Sequence, residues 1–122
     1  MFDGSDLGAA ERMVDDWQAG FEQRAARARD LAARLAGLTA SARSDDGFVT
    51  VTIGPDGAMT GLELDEAVRR KPAAETARQI LATLAAAQAD LIAQATTVTE
   101  ETVGADSETG KAVLASLTRR RP

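Results

Sequence analysis

The side chains in this sequence with the clearest chemical potential are arginines. Arg24, Arg27 and Arg34 are spaced so that, at 100° per residue, they fall along one flank of a helix. A stripe of guanidinium groups can follow a phosphate backbone and bind it through charge, with little dependence on base sequence. Asp30 precedes Arg34 by four residues, so an ordinary solvated helix face with ion pairs remains the alternative explanation.

Further basic residues lie outside this stripe. The candidate set for phosphate contact adds Arg43, Arg69, Arg70, Lys71, Arg119, Arg120 and Arg121. The group around residue 70 falls at a connector, where exposed charges reach a ligand easily, although a solubilising turn has the same composition. The last three form the basic C-terminal end, and a basic end without any partner explains them equally well.

The net charge of −5 argues against a chain that binds polyanions over its whole surface. Charge comes in blocks, however: residues 24–43 carry a net +4, whereas residues 44–68 carry −6 and residues 79–110 carry −5. Screening confines exposed charges to about 8–10 Å at physiological salt, so a local basic surface can act beside acidic ones. The acidic balance lowers affinity for a polyanion without forbidding a site.

The chain lacks the residue types on which most enzyme active sites depend. There is no Cys and no His, which removes thiolate nucleophiles, disulfides, imidazole acid/base catalysis and the usual zinc ligand sets. An active site would need carboxylates or lysines, and their spacing reveals no such constellation. We expect no enzyme, no cofactor and no metal site.

The elements that must position the arginines begin with a long helix. From about Ser5 to Leu38 the larger residues repeat at a spacing near 3.5, which predicts an amphipathic helix with a coiled-coil-like seam. The seam residues are Val14, Trp17, Phe21, Ala28, Leu31, Leu35 and Leu38. Arg24 is the one polar residue at a seam position. Acidic residues in its first half and arginines in its second half suit the helix dipole.

Three short strands follow this helix. Val49, Val51 and Ile53 alternate with threonines, which predicts a strand over residues 48–53, and Gly54-Pro55-Asp56-Gly57 supplies turn chemistry. Residues 38–44 could finish the first helix or form a strand; we expect a strand there and another over residues 58–64, forming an antiparallel meander. Leu62 and Leu64 resume the alternation, so we expect them on one buried face with the three residues of the central strand.

A second long helix begins near Pro72, a residue common in the first helical turn. Its apolar stripe consists of Ala77, Ile80, Leu81, Leu84, Ala87, Leu91, Ala95 and Val98. Residues 104–110 are predicted to be a polar linker, followed by a short helix over residues 111–117. We divide the chain into a dimerising domain over residues 1–103 and a flexible basic tail over residues 104–122.

The apolar content also favours self-association. Of the 122 residues 26 are Ala, which buries little area, so a monomer would have a thin core. We expect a homodimer whose interface contains Val14, Trp17, Phe21, Leu31, Val49, Val51 and Ile53. The first residues carry no secretory leader pattern and no segment reaches about 18 consecutive apolar residues, so a cytoplasmic protein is expected.

Two sequence segments in the predicted strands resemble a known family. The segments Phe48-Val49-Thr50-Val51-Thr52-Ile53-Gly54 and Gly61-Leu62-Glu63-Leu64-Asp65, followed by an Ala-rich helix, are similar to the YbaB/EbfC family of bacterial nucleoid-associated proteins. The similarity covers about residues 14–94. It implies an α-β-β-β-α protomer in a tweezer-like homodimer with a shared sheet, located in the nucleoid and binding DNA with little sequence preference. The Ala- and Arg-rich composition looks like that of actinobacterial members.

Two hypotheses for function follow. The first is a homodimer that binds double-stranded DNA nonspecifically through arginine-lined helix flanks and basic connectors. The alternative is a protein-interaction adaptor, chaperone-like and for example associated with type VII secretion, which keeps the fold without binding DNA. The acidic blocks at residues 44–68 and 79–110 motivate this alternative. Binding of a random duplex across a salt series separates the two.

Overall fold

The structure of the chain is a computed structural model, and it describes the backbone of residues 4–120 and the side chains of residues 7–120. The helices are α1 (Gly4–Ala36), α2 (Ala73–Val103) and α3 (Glu108–Arg120), with a 3₁₀ helix over Glu66–Arg70; the strands are β1 (Ala40–Arg43), β2 (Val49–Ile53) and β3 (Met59–Leu64). The predicted α+β order of long helix, three antiparallel strands and long helix is confirmed.

The sheet has the order β1-β2-β3, and both pairs are antiparallel. Each connecting turn places a glycine at positive φ, Gly47 at 77° and Gly57 at 82°, a conformation that L side chains rarely adopt. Asp46 and Asp56 complete these turns, because each carboxylate accepts a hydrogen bond from the backbone amide two residues later. The turn chemistry in the sequence therefore fixes both hairpins.

The core lies between α2 and the first two strands. Val49, Val51 and Ile53 are fully buried, and Ala87 and Leu91 of α2 pack against them. The helix lies over β1 and β2. Alternation along β2 thus turns every second side chain towards α2, as the pattern predicts.

The third strand departs from the prediction of one buried face. Leu62 and Leu64 stand opposite Val51 and Val49 in the ladder, so they share the face of the buried valines. They are nevertheless 42% and 45% exposed, and the prediction of their burial is wrong. The reason is geometric, because α2 covers β1 and β2 and leaves this face of β3 open.

Only the second half of α1 packs against the rest of the chain. Leu31 is 2% exposed, and α1 packs against α2. Every non-glycine residue from 7 to 24 is exposed. We call residues 7–24 the α1 arm. The predicted seam is therefore covered in its second half and uncovered along the arm.

The second helix starts after Pro72 and ends at Gly104, whose φ is 82°. Leu81 is 66% exposed, so its predicted place in the buried stripe is wrong. Gln88, two turns later on the same flank, donates a hydrogen bond to the Gly57 carbonyl of the β2–β3 turn. The exposed Leu81 therefore lies on the flank of α2 that faces β3.

The third helix is longer than the sequence predicts, covering residues 108–120 instead of 111–117. It packs against α2 after a tight connection in which the Ser107 hydroxyl accepts a hydrogen bond from the Gly110 amide. Gly110 is buried, and a Cβ built on it would lie 1.9 Å from the Gly104 carbonyl oxygen. Only glycine fits this contact.

Replacing Gly110 by alanine is therefore expected to detach α3 from α2, because the clashing atom belongs to the backbone and cannot rotate away. We expect a loss of about 1–3 kcal/mol in the free energy of unfolding, measured by urea denaturation. Gly20→Ala is the matched control, since a Cβ there meets only the tip of Arg24 at 3.5 Å and should stabilise the helix by up to about 1 kcal/mol. Equal effects of the two substitutions would contradict the steric argument.

Candidate nucleic-acid interface

The arginine stripe lies on the surface of α1. Arg24, Arg27 and Arg34 are all exposed, and α1 continues without interruption through all three. Arg34 contacts Asp30 with Nε 3.2 Å from Oδ2, and both side chains are about half exposed. An exposed i,i+4 pair of this kind stabilises by only about 0.3–0.5 kcal/mol, so Arg34 can exchange Asp30 for a phosphate.

The last turn of α3 adds two arginines at the C-terminal end of α1. Arg119 and Arg120 are exposed there. Arg120 lines a cavity of about 360 Å³ together with Leu35 and Leu38, which places α3 beside the residues that follow Arg34. Arg121 lies outside the described residues. The structure thus places Arg120 near the C-terminal end of α1, beyond Arg34.

The remaining arginines lie at the other end of the sheet. Arg43 ends β1 and folds over the β1–β2 turn, where its Nε donates to the Gly47 carbonyl at 3.3 Å. Arg69 and Arg70 are exposed in the 3₁₀ helix, and Arg69 pairs with Glu66 at 3.1 Å. The cavity beside Arg120 includes the β2–β3 turn, so the length of β2, about 17 Å, separates the two basic groups.

Lys71 has a structural role that its position in a basic run does not reveal. Its ammonium binds the Asp46 carboxylate and donates to Gln79 Oε1 at 2.8 Å. Gln79 Nε2 in turn donates to the same carboxylate at 2.7 Å, and the ammonium lies 5.3 Å from the centroid of the Phe48 ring. With its side chain only 16% exposed, Lys71 joins the β1–β2 turn to the start of α2 and is not a free cation.

This network changes the titration of its carboxylate. The hydrogen bond from Lys71, reinforced by those from Gln79, the Phe48 amide and Ser44, holds the pKa of Asp46 far below its usual range. The same hydrogen bond with Asp46 raises the pKa of Lys71. Because the folded pKa of Asp46 is depressed, its contribution to stability is complete above the ordinary aspartate value of 3.8 and is lost as pH falls further below it.

We therefore expect the melting temperature of the wild-type chain to fall as the pH is lowered from about 4 to 2, and Asp46→Asn to flatten this part of the profile. The asparagine lowers the melting temperature at pH 7 because it cannot pair with the ammonium. Thermal melts followed by circular dichroism measure both effects. Asp45→Asn is the control at an exposed neighbouring position, and a profile that Asp46→Asn leaves unchanged would rule out the proposed linkage.

The residues predicted to form a dimer interface divide into two sets. Val14, Trp17 and Phe21 are 60%, 67% and 55% exposed, and the Trp17 and Phe21 rings stack with their centroids 5.8 Å apart. The other four, Leu31, Val49, Val51 and Ile53, are at most 2% exposed within a single chain. A partner can therefore contact only the first set directly.

Several relevant residues were not identified from the sequence. Asp46 and Gln79 were missed because their link to Lys71 joins segments far apart in the chain. Leu62, Leu64 and Leu81 are exposed, and nothing in their spacing distinguishes them from core positions. Arg29 is also exposed, but two residues after Arg27 it lies about 160° around the helix, away from the stripe.

The fold and the exposed cations together define a class of protein, a small α+β domain with long helices that present arginines to solvent. Within residues 4–120, none of the helices has the length and apolar character needed to span a bilayer. The model of the YbaB/EbfC DNA-binding family matches residues 11–106, and the chain belongs to this family. No individual curated protein matches the sequence. Membership supports a nucleoid-associated DNA-binding role.

Proposed function

We propose that this protein is a homodimer that binds double-stranded DNA with little sequence preference, through the exposed flank of α1 that carries Arg24, Arg27 and Arg34. The observation that carries the proposal is the accessibility of this stripe in a chain of a DNA-binding family. Arg119 and Arg120 extend the basic surface at one end. We place the site of action in the cytoplasm, on the nucleoid.

The proposed mechanism is electrostatic. Arg27 and Arg34 are seven residues apart, so they lie about 10 Å from each other along one flank and can contact separate phosphates. Each contact releases condensed counterions, which makes binding tight at low salt and weak at high salt. Phosphate contacts carry no base information, so the surface would accept many sequences. The acidic segments elsewhere orient the duplex towards the arginines by repulsion.

The proposed homodimer would cover the apolar surfaces that one chain leaves open. β3 is an edge strand with a free row of backbone hydrogen-bonding groups, and Met59, Leu62 and Leu64 on it are 37–45% exposed. Natural proteins usually pair or protect such an edge. Pairing two copies along β3 would extend the sheet across the dimer and place Leu81 of each α2 near the new interface.

The domain assignment fits this proposal. Residues 1–103 contain the arginine stripe, the sheet and the proposed interface, so we propose that they form the dimerising DNA-binding unit. Residues 104–122 would then be an accessory basic segment, which the described part of the chain presents as α3 on the surface of α2.

The test is a titration of a labelled random duplex with the full chain across a salt series, combined with light scattering. We expect a dimer mass and a logarithmic binding constant that falls linearly with the logarithm of salt concentration. Leu62→Asp should convert the dimer to monomers if β3 forms the interface, and Glu63→Lys, on the face of the strand opposite Leu62, is the control. Absence of binding at low salt would refute DNA binding, and binding that salt does not change would refute the electrostatic mechanism.

The second candidate function is an adaptor that binds another protein. The net −6 of residues 44–68 favours it, because this segment contains β2 and β3 and would repel a polyanion. A pull-down from lysate treated with nuclease separates the candidates. A stoichiometric protein partner that survives the treatment, together with no retention of random duplex, would favour the adaptor.

A further inference from the structure

The cavity beside Arg120 has the size of a small-molecule site. It lies where the end of α1, the β2–β3 turn, α2 and the end of α3 meet, and its volume is about 360 Å³. Small-molecule sites typically measure about 300–1,000 Å³, and a cavity of roughly 150 Å³ already holds a benzene ring. The space between these four elements is therefore large enough for a ligand of about the size of an amino acid.

The floor of this cavity is apolar. Leu91, Ile92 and Ala95 of α2 line it and are at most 9% exposed. Leu35 from α1 and Leu117 from α3, both half-buried, form its walls. Burying an apolar group against such a surface is favourable because it removes apolar area from water. The floor is thus suited to a branched aliphatic or aromatic group.

Two opposite charges line the same cavity without pairing. Asp56 and Arg120 are both exposed, and neither forms an ion pair with any residue that the structure describes. One carboxylate oxygen of Asp56 accepts a hydrogen bond from the Ala58 amide at 3.1 Å, which orients the carboxylate on the turn. The side-chain amide of Gln88 donates to the Gly57 carbonyl at 3.3 Å and joins this turn to α2. The rim therefore offers one carboxylate and one guanidinium group above an apolar floor.

A ligand with a single charge fits this rim poorly. An apolar carboxylate would be attracted by Arg120 but repelled by Asp56, and an apolar amine would experience the reverse. A zwitterion satisfies both residues, because its ammonium donates to a carboxylate and its own carboxylate accepts from a guanidinium group. Both residues are exposed, so pairing them with a ligand costs less desolvation than pairing charges in the core.

We propose that this cavity binds a free apolar α-amino acid of the size of leucine or phenylalanine. Its ammonium contacts Asp56, its carboxylate contacts Arg120, and its side chain packs on the floor formed by Leu91, Ile92 and Ala95. The ligand joins the β2–β3 turn to the last turn of α3. Arg120 is the one residue that this site shares with the proposed DNA surface, and binding of the amino acid requires neither DNA nor a second copy of the chain.

Isothermal titration calorimetry of the full chain with L-leucine and with L-phenylalanine tests the proposal without DNA. We expect at least one of them to bind, one molecule per chain, with a Kd between about 10 μM and 1 mM, as suits a ligand with so few atoms. The α-keto acid of leucine lacks the ammonium, isopentylamine lacks the carboxylate, and glycine lacks the apolar side chain. Each should bind at least about tenfold more weakly than the better amino acid. Binding of neither amino acid, or equally tight binding of any of the three analogues, overturns the proposal.

Arg120→Gln and Arg119→Gln are a matched pair, because they remove the same charge from neighbouring exposed positions and only Arg120 lines the cavity. Arg120→Gln should weaken binding of the amino acid about tenfold to hundredfold, and Arg119→Gln should leave it unchanged. Equal effects of the two substitutions would contradict the proposed site.

Asp56→Asn tests the other half of the rim. The asparagine keeps a side-chain oxygen for the Ala58 amide but loses the charge, so it should weaken binding of the amino acid and strengthen binding of the α-keto acid. An unchanged preference between the two would contradict the role of Asp56. A chain that binds DNA and neither amino acid refutes this inference alone, whereas a chain that binds an amino acid and no DNA refutes the proposed function alone.

Discussion

Replacing both Arg27 and Arg34 by glutamate is expected to abolish most of the salt-dependent affinity for random duplex DNA. Each arginine that contacts a phosphate contributes about 0.9 to the slope of the logarithmic binding constant against logarithmic salt concentration. Two arginines on each of two chains therefore predict a slope reduced by between about three and four. The loss should be equal for duplexes of different sequence, because phosphate contacts do not read bases. Fluorescence anisotropy across a salt series measures both quantities.

Arg12→Glu is the matched control for the charge change. It lies on the same helix, exposed like the others, but among the acidic residues of the α1 arm. Long-range repulsion alone would make Arg12→Glu as harmful per charge as the stripe variants. A specific surface on the flank would leave the salt slope of Arg12→Glu close to that of the wild type. Equal slopes for all variants would remove the stripe from the proposed interface.

Ile53→Ala is expected to cause the largest loss of stability among single substitutions in the sheet. Ile53 is fully buried and belongs to the cluster that Ala87 and Leu91 cover. Truncating a buried isoleucine to alanine removes apolar contacts and leaves a cavity, which costs about 2–5 kcal/mol. The free energy of unfolding of a native domain is about 5–15 kcal/mol, so the variant loses a large part of it. Urea denaturation measures the difference.

Two further substitutions test whether the loss of stability in Ile53→Ala comes from the buried side chain. Ile53→Val should cost only about 0.5–1.5 kcal/mol, because one methyl group is removed. Met59 stands opposite Ile53 in the ladder and is 37% exposed, so Met59→Ala should cost less than about 1 kcal/mol. If Met59→Ala were as destabilising as Ile53→Ala, the core would have to extend across β3 in the free chain.

The local parts of the fold were predictable from the sequence because their signals lie within a few residues. Alternation of valine and threonine identifies β2, and glycines with aspartates identify both of its turns. Seam spacing identifies α1, and Pro72 marks the start of α2. The extension of α3 to Glu108 was not predicted, because Glu108 and Thr109 are polar residues typical of a linker. The contacts of Ser107 and Gly110 with Gly104, which start the helix here, appear only in the structure.

Burial was harder to predict, because it depends on which element covers which face. The alternation that buries Val51 also places Leu62 on the same face, and only the position of α2 decides that one is covered and the other exposed. Leu81 differs from Ile80 by one step around α2, which is enough to move it out of the core. Likewise, the sequence shows Lys71 as one of three cations, and only the fold brings Asp46 to it.

The uncovered α1 arm has a consequence for how the chain opens. Its backbone hydrogen bonds are shielded by no neighbouring element, whereas those of β2 lie in the middle of the sheet beneath α2. Local fraying of the arm therefore requires much less free energy than global unfolding. In dilute solution, deuterium should replace the amide protons of residues 7–24 long before those of residues 49–53.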